Sequence, residues 1–464
     1  MKRLAVICWI IFLTATATAQ DFTRFYQTDA ILQVANHLLK DSAGGFLLGG
    51  YKYPEGQNGK AWIYHLSSNG DIIKNIGFPG EITQVWAGMA FSGNNLASAI
   101  GLQEFTGETR YHLAMISGDS LQSWRYIPGL DNAVLHDLKP AADRRVLISG
   151  FRGSPGIAGN DFFLARINTD SAKPDWIFSE EFGPNDLIST CRELPDRSVL
   201  FCGTVAEQGN YNPCMGKLDS AGNLLWLTVI TTIWNDGSQK FELAENGDIW
   251  LVGESSTSSG PAFDTELFRL SADGQILWQQ WLGSPGQDAA FHIEKKETQP
   301  GFWVAGYSNA GQNGNGPVSP FLMSLDPEGN SLGEVFWPMA EPALVYDMAA
   351  LGDSLFFFCG TSANAALFMR RKKPQLSPVF TVNNKKTIFS EAGNNWMAEF
   401  SRSFRNGEIR EALLVDGLGR KIKELQPGTI PFQLPEMQGP LRIFWKKNDG
   451  SKLVSPAFSL QTSW

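Results

Sequence analysis

The sequence predicts an all-β protein: a seven-bladed β-propeller of four-stranded blades, followed by a small C-terminal β-sandwich. Three observations predict it. A short apolar run ending in glycine recurs down the chain, and the glycines Gly50, Gly101, Gly150, Gly203, Gly253, Gly306 and Gly360 are evenly spaced. Each copy carries alternating apolar and polar stretches broken by turn residues, as at Ser68–Asp71, Ser220–Asn223, Ala272–Gln275 and Pro327–Asn330. Such period-2 alternation with frequent turns reads as antiparallel strands. A fixed period of about 50 residues, four strands each, is the signature of propeller blades, because one blade cannot bury both of its faces alone.

The elements follow in order. Lys2 and Arg3, the apolar run Leu4–Leu13 and the small residues Ala17 to Ala19 have the layout of a secretory signal peptide, residues 1–19. The apolar run is far shorter than the ~20 residues a membrane-spanning helix needs, and no later stretch has that character. Residues 20–369 hold the seven repeats. After each blade glycine comes a loop, then a third strand such as Ala61–Leu66, Asp161–Ile167 or Glu266–Leu270. A turn and a fourth strand follow, the latter often bearing tryptophan, as at Trp124, Trp226 and Trp278. The seventh repeat stops after its third strand, Ala365–Met369, and the mature N-terminus Phe22–Tyr26 resembles a displaced fourth strand. That strand is therefore expected to complete the last blade and close the ring. Residues 370–378 are a basic, proline-bearing linker, and residues 379–464 lose the repeat while keeping strand-like stretches at Trp396–Phe400, Ala412–Val415 and Leu441–Trp445.

Composition narrows the function. Residues 20–369 carry 20 basic and 39 acidic side chains, while residues 370–464 carry 16 and 8. Opposite charge in two segments marks separate modules. An acidic body argues against nucleic acid as a partner, since binding phosphates takes a basic face. Of five cysteines, Cys8 lies in the apolar leader; Cys202 and Cys359 precede blade glycines and read as small core residues. Cys191, Cys202 and Cys214 share one repeat, which leaves room for one disulfide. No CxxC pair occurs, and the five histidines have no metal-ligand spacing. No cofactor is expected.

The tail resembles the C-terminal sorting domain of type IX secretion substrates of Bacteroidota. The resemblance rests on Leu413–Ile422, which is similar to that family's V-x-D-x-x-G-x-x-V strand–turn–strand, followed by Ile430–Leu434 and by Gly439 leading a strand to Phe444. It departs from the pattern in three places: the usual Tyr-Pro-Asn-Pro start is missing, Gly439 is followed by Pro440 and Leu441 where the family has Gly-x-Tyr, and the chain ends on Gln461 to Trp464 instead of a basic strand. The alternative is an ordinary accessory β-sandwich. The resemblance implies type IX-like secretion machinery as a partner, passage across the outer membrane, and a final place on the cell surface or in the medium. The repeats are also similar to those of other secreted Bacteroidota propellers.

Motifs for chemistry are weak. Gly-Asp-Ser-Leu occurs at Gly118–Leu121 and Gly352–Leu355, the name-giving motif of a hydrolase family, but both copies fall where hairpin turns are expected and lack the helix that family requires. Ser271–Trp278 is similar to a sialidase Asp-box with its glycine one place early. His37, His136 and His292 fall on first strands, which line a propeller's channel. One constellation repeats: Asp29, Glu81, Asp131, Asp186, Asp236, Asp288 and Glu341 occupy one place in the repeat, well ahead of each blade glycine. These acids are expected at one mouth of the channel. There they either accept backbone N–H bonds where the chain turns into a first strand, or form a ring that attracts a cation or basic partner. With no catalytic constellation, the expected function is a non-enzymatic module binding a glycan or protein. The binding surface would be the loops after the glycines: Tyr51–Lys60, Gln103–Arg110, Phe151–Asn160, Glu254–Asp264 and Tyr307–Pro320. The alternative is a secreted polysaccharide-acting enzyme on the same scaffold.

Overall fold

The structure, a computed structural model, describes residues 21–27, 30–103, 108–153, 159–207, 209–231, 235–256, 263–282, 287–309, 316–372, 409–416, 421–425, 441–447 and 452–454. Seven four-stranded antiparallel sheets follow one another, each with its strands in chain order except the last. Their first strands are Ala30–Lys40, Thr83–Ser92, Ala133–Ala141, Leu187–Glu193, Asn235–Leu243, Asp288–Lys295 and Ala343–Leu351. Each first strand touches those of the blades before and after it, and the seventh touches the first. The sheets therefore close into a seven-bladed propeller with the first strands around the axis. The face where these strands begin is called the upper face below.

Closure uses the N-terminal strand as the sequence predicted. Phe22–Tyr26 pairs antiparallel with Ala365–Lys372, placing Phe25 opposite Leu367, and becomes the outermost strand of blade seven. Across the seam, Phe357, Phe368 and Cys359 of blade seven pack with Phe46, Leu48, Trp62 and Tyr64 of blade one. Burying each of these large side chains contributes about 1.5–3 kcal/mol. Tyr26 also donates a hydrogen bond of 2.5 Å to the carbonyl of Gly70 in the first blade. The third strand of blade seven runs to Lys372, so Arg370 and Arg371, assigned from sequence to the linker, belong to the propeller. The reason is local: Arg370 stacks on Phe22 and bonds the Ser68 carbonyl, and Arg371 bonds the Phe22 carbonyl, so both arginines rivet the closing strand.

Two of the fourth-strand tryptophans share a task. Trp176 lies on Gly222 and Trp226 on Gly274, each the turn glycine of the next blade, and Phe22 lies likewise on Gly70. These glycines have φ of +80° to +87°, which L side chains rarely adopt, and a Cβ there would also strike the ring. One residue thus serves both the hairpin and the contact between blades.

The blade glycine answers a different need. In every blade the first strand bulges near its middle: one extra residue, such as Asn36, Ser189 or Tyr346, breaks the register against the second strand. In six of the blades the glycine pairs with the residue just before the bulge; in blade two Ile100 takes that place and Gly101 pairs with Val85. A Cβ on Gly50, Gly150, Gly203, Gly253, Gly306 or Gly360 would sit 1.8–2.0 Å from a first-strand carbonyl oxygen. Gly101 differs, its nearest neighbours being side-chain atoms of Thr109 and Tyr111 at 2.7 and 2.9 Å.

Two expectations change. The four described cysteines are buried and free, so the fourth repeat has no disulfide. Cys191 and Cys214 face the same way but sit on the first and third strands, separated by Cys202's strand, which holds them about 10 Å apart. Cys202 points to the opposite interface. The second strands also continue past the blade glycine, as in Phe46–Pro54 and Val199–Glu207, so the upper loops begin later than the sequence suggested. In the tail, Ile409–Asp416, Lys421–Leu425, Leu441–Lys447 and Lys452–Val454 form one antiparallel sheet. The stretch Trp396–Phe400 and any second layer of the expected sandwich lie outside the described residues.

Candidate functional sites at the axis and upper face

The bulge determines what reaches the axis. The residue after it is His37, Gly88, Asp137, Thr190, Lys240, His292 or Asp347, each at a near-constant offset ahead of its blade glycine. Because Gly88 has no side chain, His37 of blade one reaches past blade two to Asp137 of blade three, at 3.2 Å. Asp137 also takes Lys139 at 3.0 Å and the Thr190 hydroxyl. On the other side Asp347 takes Lys240 at 2.5 Å and His292 Nδ1 at 2.7 Å, and accepts the Leu38 N–H from the adjoining blade. Two carboxylates and two ammonium groups thus pair off around the axis, with a histidine beside each carboxylate.

Burial alone would raise Asp137 and Asp347, yet Lys139, Lys240 and the histidines hold both well below the usual carboxylate range. Burial and the adjacent Lys240 ammonium push His292 down to about 4, so it is neutral at pH 7. His37 and His292 were singled out in the sequence as channel residues. Their partners Asp137, Lys139, Lys240 and Asp347 were not, although the offset from the blade glycine marks most of them. His136, the third channel histidine expected, is itself the bulged residue of blade three, its ring tilted against Phe151 at 5.7 Å.

Glu294, two residues beyond His292, accepts the Ala350 N–H at 3.0 Å and is pushed up to about 7 by burial. A carboxyl whose folded pKa lies above its unfolded value of 4.5 loses stability as pH rises from there through 7. Glu294→Gln keeps an acceptor for Ala350. It is expected to change stability little at pH 5 and to gain about 1–3 kcal/mol at pH 8. Urea unfolding at the two pH values measures this, and an equal effect at both would refute it.

The seven repeated acids divide. Asp29 lies outside the described residues. The others stand at or just before the start of a first strand. Asp186, Asp236 and Asp288 are buried, Asp131 is half-buried, and Glu81 and Glu341 are exposed. Asp186 accepts the Phe182 and Gly183 N–H groups at 2.7 and 2.9 Å, and Asp288 accepts the Ser308 hydroxyl. All three bonds are made within the acid's own blade or the turn leading into it. Among the described residues, no three His, Cys, Asp or Glu side chains gather as metal ligands would.

Asp131 has a different setting. It lies in an upper-face cleft of about 620 Å³ between blades two and three, lined also by Glu108, Arg110, His112 and Tyr126. Asp131 accepts the Tyr126 hydroxyl at 2.7–2.8 Å, which leaves the half-exposed Tyr126 ring fixed in position. His112 is backed by Trp124, stacked 5.0 Å away. An aromatic face, a cation and two carboxylates therefore meet in one concavity. Sequence reasoning selected Asp131 and the Gln103–Arg110 loop, and missed Tyr126 and His112, which lie on strands that look purely structural.

The two Gly-Asp-Ser-Leu copies are hairpin turns, as expected. Asp119 bonds His65 at 2.9 Å. Asp353, in a single 3-10 turn, accepts the Glu297 and Thr298 N–H groups and the Trp303 indole, which ties blade six to blade seven. Both aspartates hold turns in place.

No family model matches the chain, and no curated protein sequence matches it. Solved structures do. The β-propeller domain of the Trilobed protease from Pyrococcus furiosus is 13% identical with a TM-score of 0.42, covering 76% of this chain and 99% of that one. Sqt1 from Chaetomium thermophilum is 10% identical with a TM-score of 0.45, covering 74% and 96%. A subtype N10 neuraminidase-like protein of A/little yellow-shouldered bat/Guatemala/060/2010 is 10% identical with a TM-score of 0.42, covering 63% and 94%. These neighbours include enzymes, and likeness at this level carries no argument about activity.

Proposed function

We propose that the protein is an exported, non-enzymatic binding module. It takes a glycan or protein ligand on the upper face of the propeller, and its tail addresses it to the cell surface or medium through type IX-like secretion machinery. The cleft holding Tyr126, Asp131 and Arg110 carries this reading. A fixed aromatic ring beside paired donors and acceptors is how a rigid scaffold holds a polar ligand with an apolar face. The axial side chains are satisfied by one another, so recognition falls to the upper-face side chains around them. Export rests on the leader-like residues 1–19 and on the sorting-domain resemblance of Leu413–Ile422.

A second reading has one observation in its favour. Glu108 and Asp131 line the same cleft, and a glycosidase needs two carboxylates facing one bond. Glycan and protein arrays probed with the full chain separate the two. Binding without turnover, weakened about tenfold or more by Tyr126→Ala, is the expected result. Hydrolysis of a bound glycan, abolished by Glu108→Gln, would replace the binding reading with the enzymatic one. For the tail, deletion of residues 379–464 is expected to abolish surface delivery, and unchanged delivery would remove the sorting role.

A further inference from the structure

A second feature of the upper face lies away from the cleft, over blades five, six and seven and reaching blade one. It is built from two repeated positions: the bulged residue of the first strand and the residue after the blade glycine. These place Gln239 and Glu254 from blade five, Phe291 and Tyr307 from blade six, Tyr346 from blade seven and Tyr51 from blade one. All six are half-buried. A first strand is covered on both faces by neighbouring blades, so the exposed part of the bulged residues opens toward the axis. Phe291 stacks on Tyr307 at 5.5 Å and meets Tyr346 edge-on at 5.8 Å. Tyr51 stands near enough to Tyr346 to oppose its ionisation, as Glu254 does to Tyr307, although burial is the larger cause in both. The Glu254 carboxylate has one long hydrogen bond, 3.4 Å from Gln239, and among the described residues no cation forms an ion pair with it.

We propose that this arc is a binding site for a substituted ammonium group, seated on the faces of Phe291, Tyr307 and Tyr346 with Glu254 as its counter-charge. The chemistry selects that class. Aromatic faces attract a cation whose hydration is weak, and do so more strongly when partly desolvated. A half-buried carboxylate with little compensation gains most from a positive guest; burial already pushes Glu254 above its ordinary range. A neutral guest would leave that charge uncompensated, and an anion would be repelled by it. A bare metal ion is strongly hydrated and calls for several charged oxygen ligands, and among these six residues Glu254 is the one carboxylate. The ammonium group can belong to a free small molecule or to a methylated lysine side chain, and both present the same headgroup.

The site is separate from the cleft of blades two and three, so the two stand or fall independently. The test uses the full chain titrated by calorimetry with choline, with its uncharged isostere 3,3-dimethyl-1-butanol, and with a peptide bearing trimethyllysine. Choline or the peptide is expected to bind saturably and about tenfold tighter than the isostere. Whichever of the two binds tighter identifies the source of the headgroup. Glu254→Gln preserves the side-chain shape and is expected to weaken binding about 5–10-fold, as is Tyr307→Leu, while Tyr126→Ala in the cleft leaves it unchanged. Circular dichroism of each variant confirms that it is folded. Equal affinity for the isostere, no saturable binding of either cation, or wild-type affinity in folded Glu254→Gln would overturn the proposal.

Discussion

Replacing Asp347 by leucine is expected to cost about 3–5 kcal/mol of folding stability, because it strands the Lys240 ammonium at the centre of the ring. Lys240 lies 2.5 Å from Asp347, and the same carboxylate binds His292 and accepts the Leu38 and Met348 N–H groups. Lys240→Met alone should also destabilise, since it leaves the carboxylate without its main counter-charge. The double variant Lys240→Met/Asp347→Leu is expected to recover most of the loss, because an apolar pair avoids the desolvation that the ion pair must offset. A double-mutant cycle by chemical denaturation measures this, and simple additivity would show that the two groups do not act as a pair. The pH dependence follows from the same pairing. Asp137 and Asp347 have folded pKa values below their unfolded value of 3.8, so the stability they add is present above that pH and lost as pH falls below it. His292 is also depressed, to about 4 from 6.5, so its contribution is lost earlier, as pH falls from 6.5 toward 4. Wild-type protein should therefore lose stability in two stages on acidification, and the double variant should lack the part of the second that Asp347 contributes.

The architecture was legible because its cause is periodic. An evenly recurring glycine and a turn ahead of each fourth strand fix the number of blades, and the truncated seventh repeat reveals which strand closes the ring. The axial network was half legible. His37 and His292 stood out as rare residues, whereas Asp137 and Lys240 look like ordinary polar positions in alternating strands. The bulge hides them, since an extra residue in the first strand shifts the period and turns a position that alternation would assign to one side toward the axis. The acid series shows the opposite limit. Its spacing is regular, but spacing does not say whether a carboxylate is buried against its own turn, as Asp186 is, or open in a cleft, as Asp131 is. That depends on the neighbouring blade, which lies a full repeat away in sequence. The upper-face arc was half legible: Tyr51, Glu254 and Tyr307 open loops that the repeat marks as a binding surface, whereas Phe291 and Tyr346, the bulged residues, read as core aromatics.

The blade glycines give the second large effect, and they test whether the bulge is what places the axial residues. Gly203→Ala and Gly360→Ala are each expected to cost more than about 3 kcal/mol or to prevent folding. The added Cβ would lie 1.8 Å from the carbonyl oxygen of Leu187 or Leu344, and a backbone atom cannot rotate away as a side chain can. Relief requires the first strand to move off the second at the bulge. That movement would carry Thr190 away from Asp137 in blade four, or Asp347 away from Lys240 in blade seven. Packing strain and loss of the ion pair should therefore add in Gly360→Ala, making it the more damaging of the two. Gly101→Ala is expected to be milder, about 1–2 kcal/mol, because the atoms it meets belong to the Thr109 and Tyr111 side chains, which can shift. Gly77→Ala, on an outer strand with nothing within 4 Å of the new methyl, should be nearly neutral. Urea denaturation of the four variants, with soluble yield recorded for any that do not fold, gives the order directly. Wild-type stability in Gly203→Ala would mean that the repeat glycine is kept for some reason other than the bulge, and the assignment of the axial positions by their offset from it would lose its physical basis.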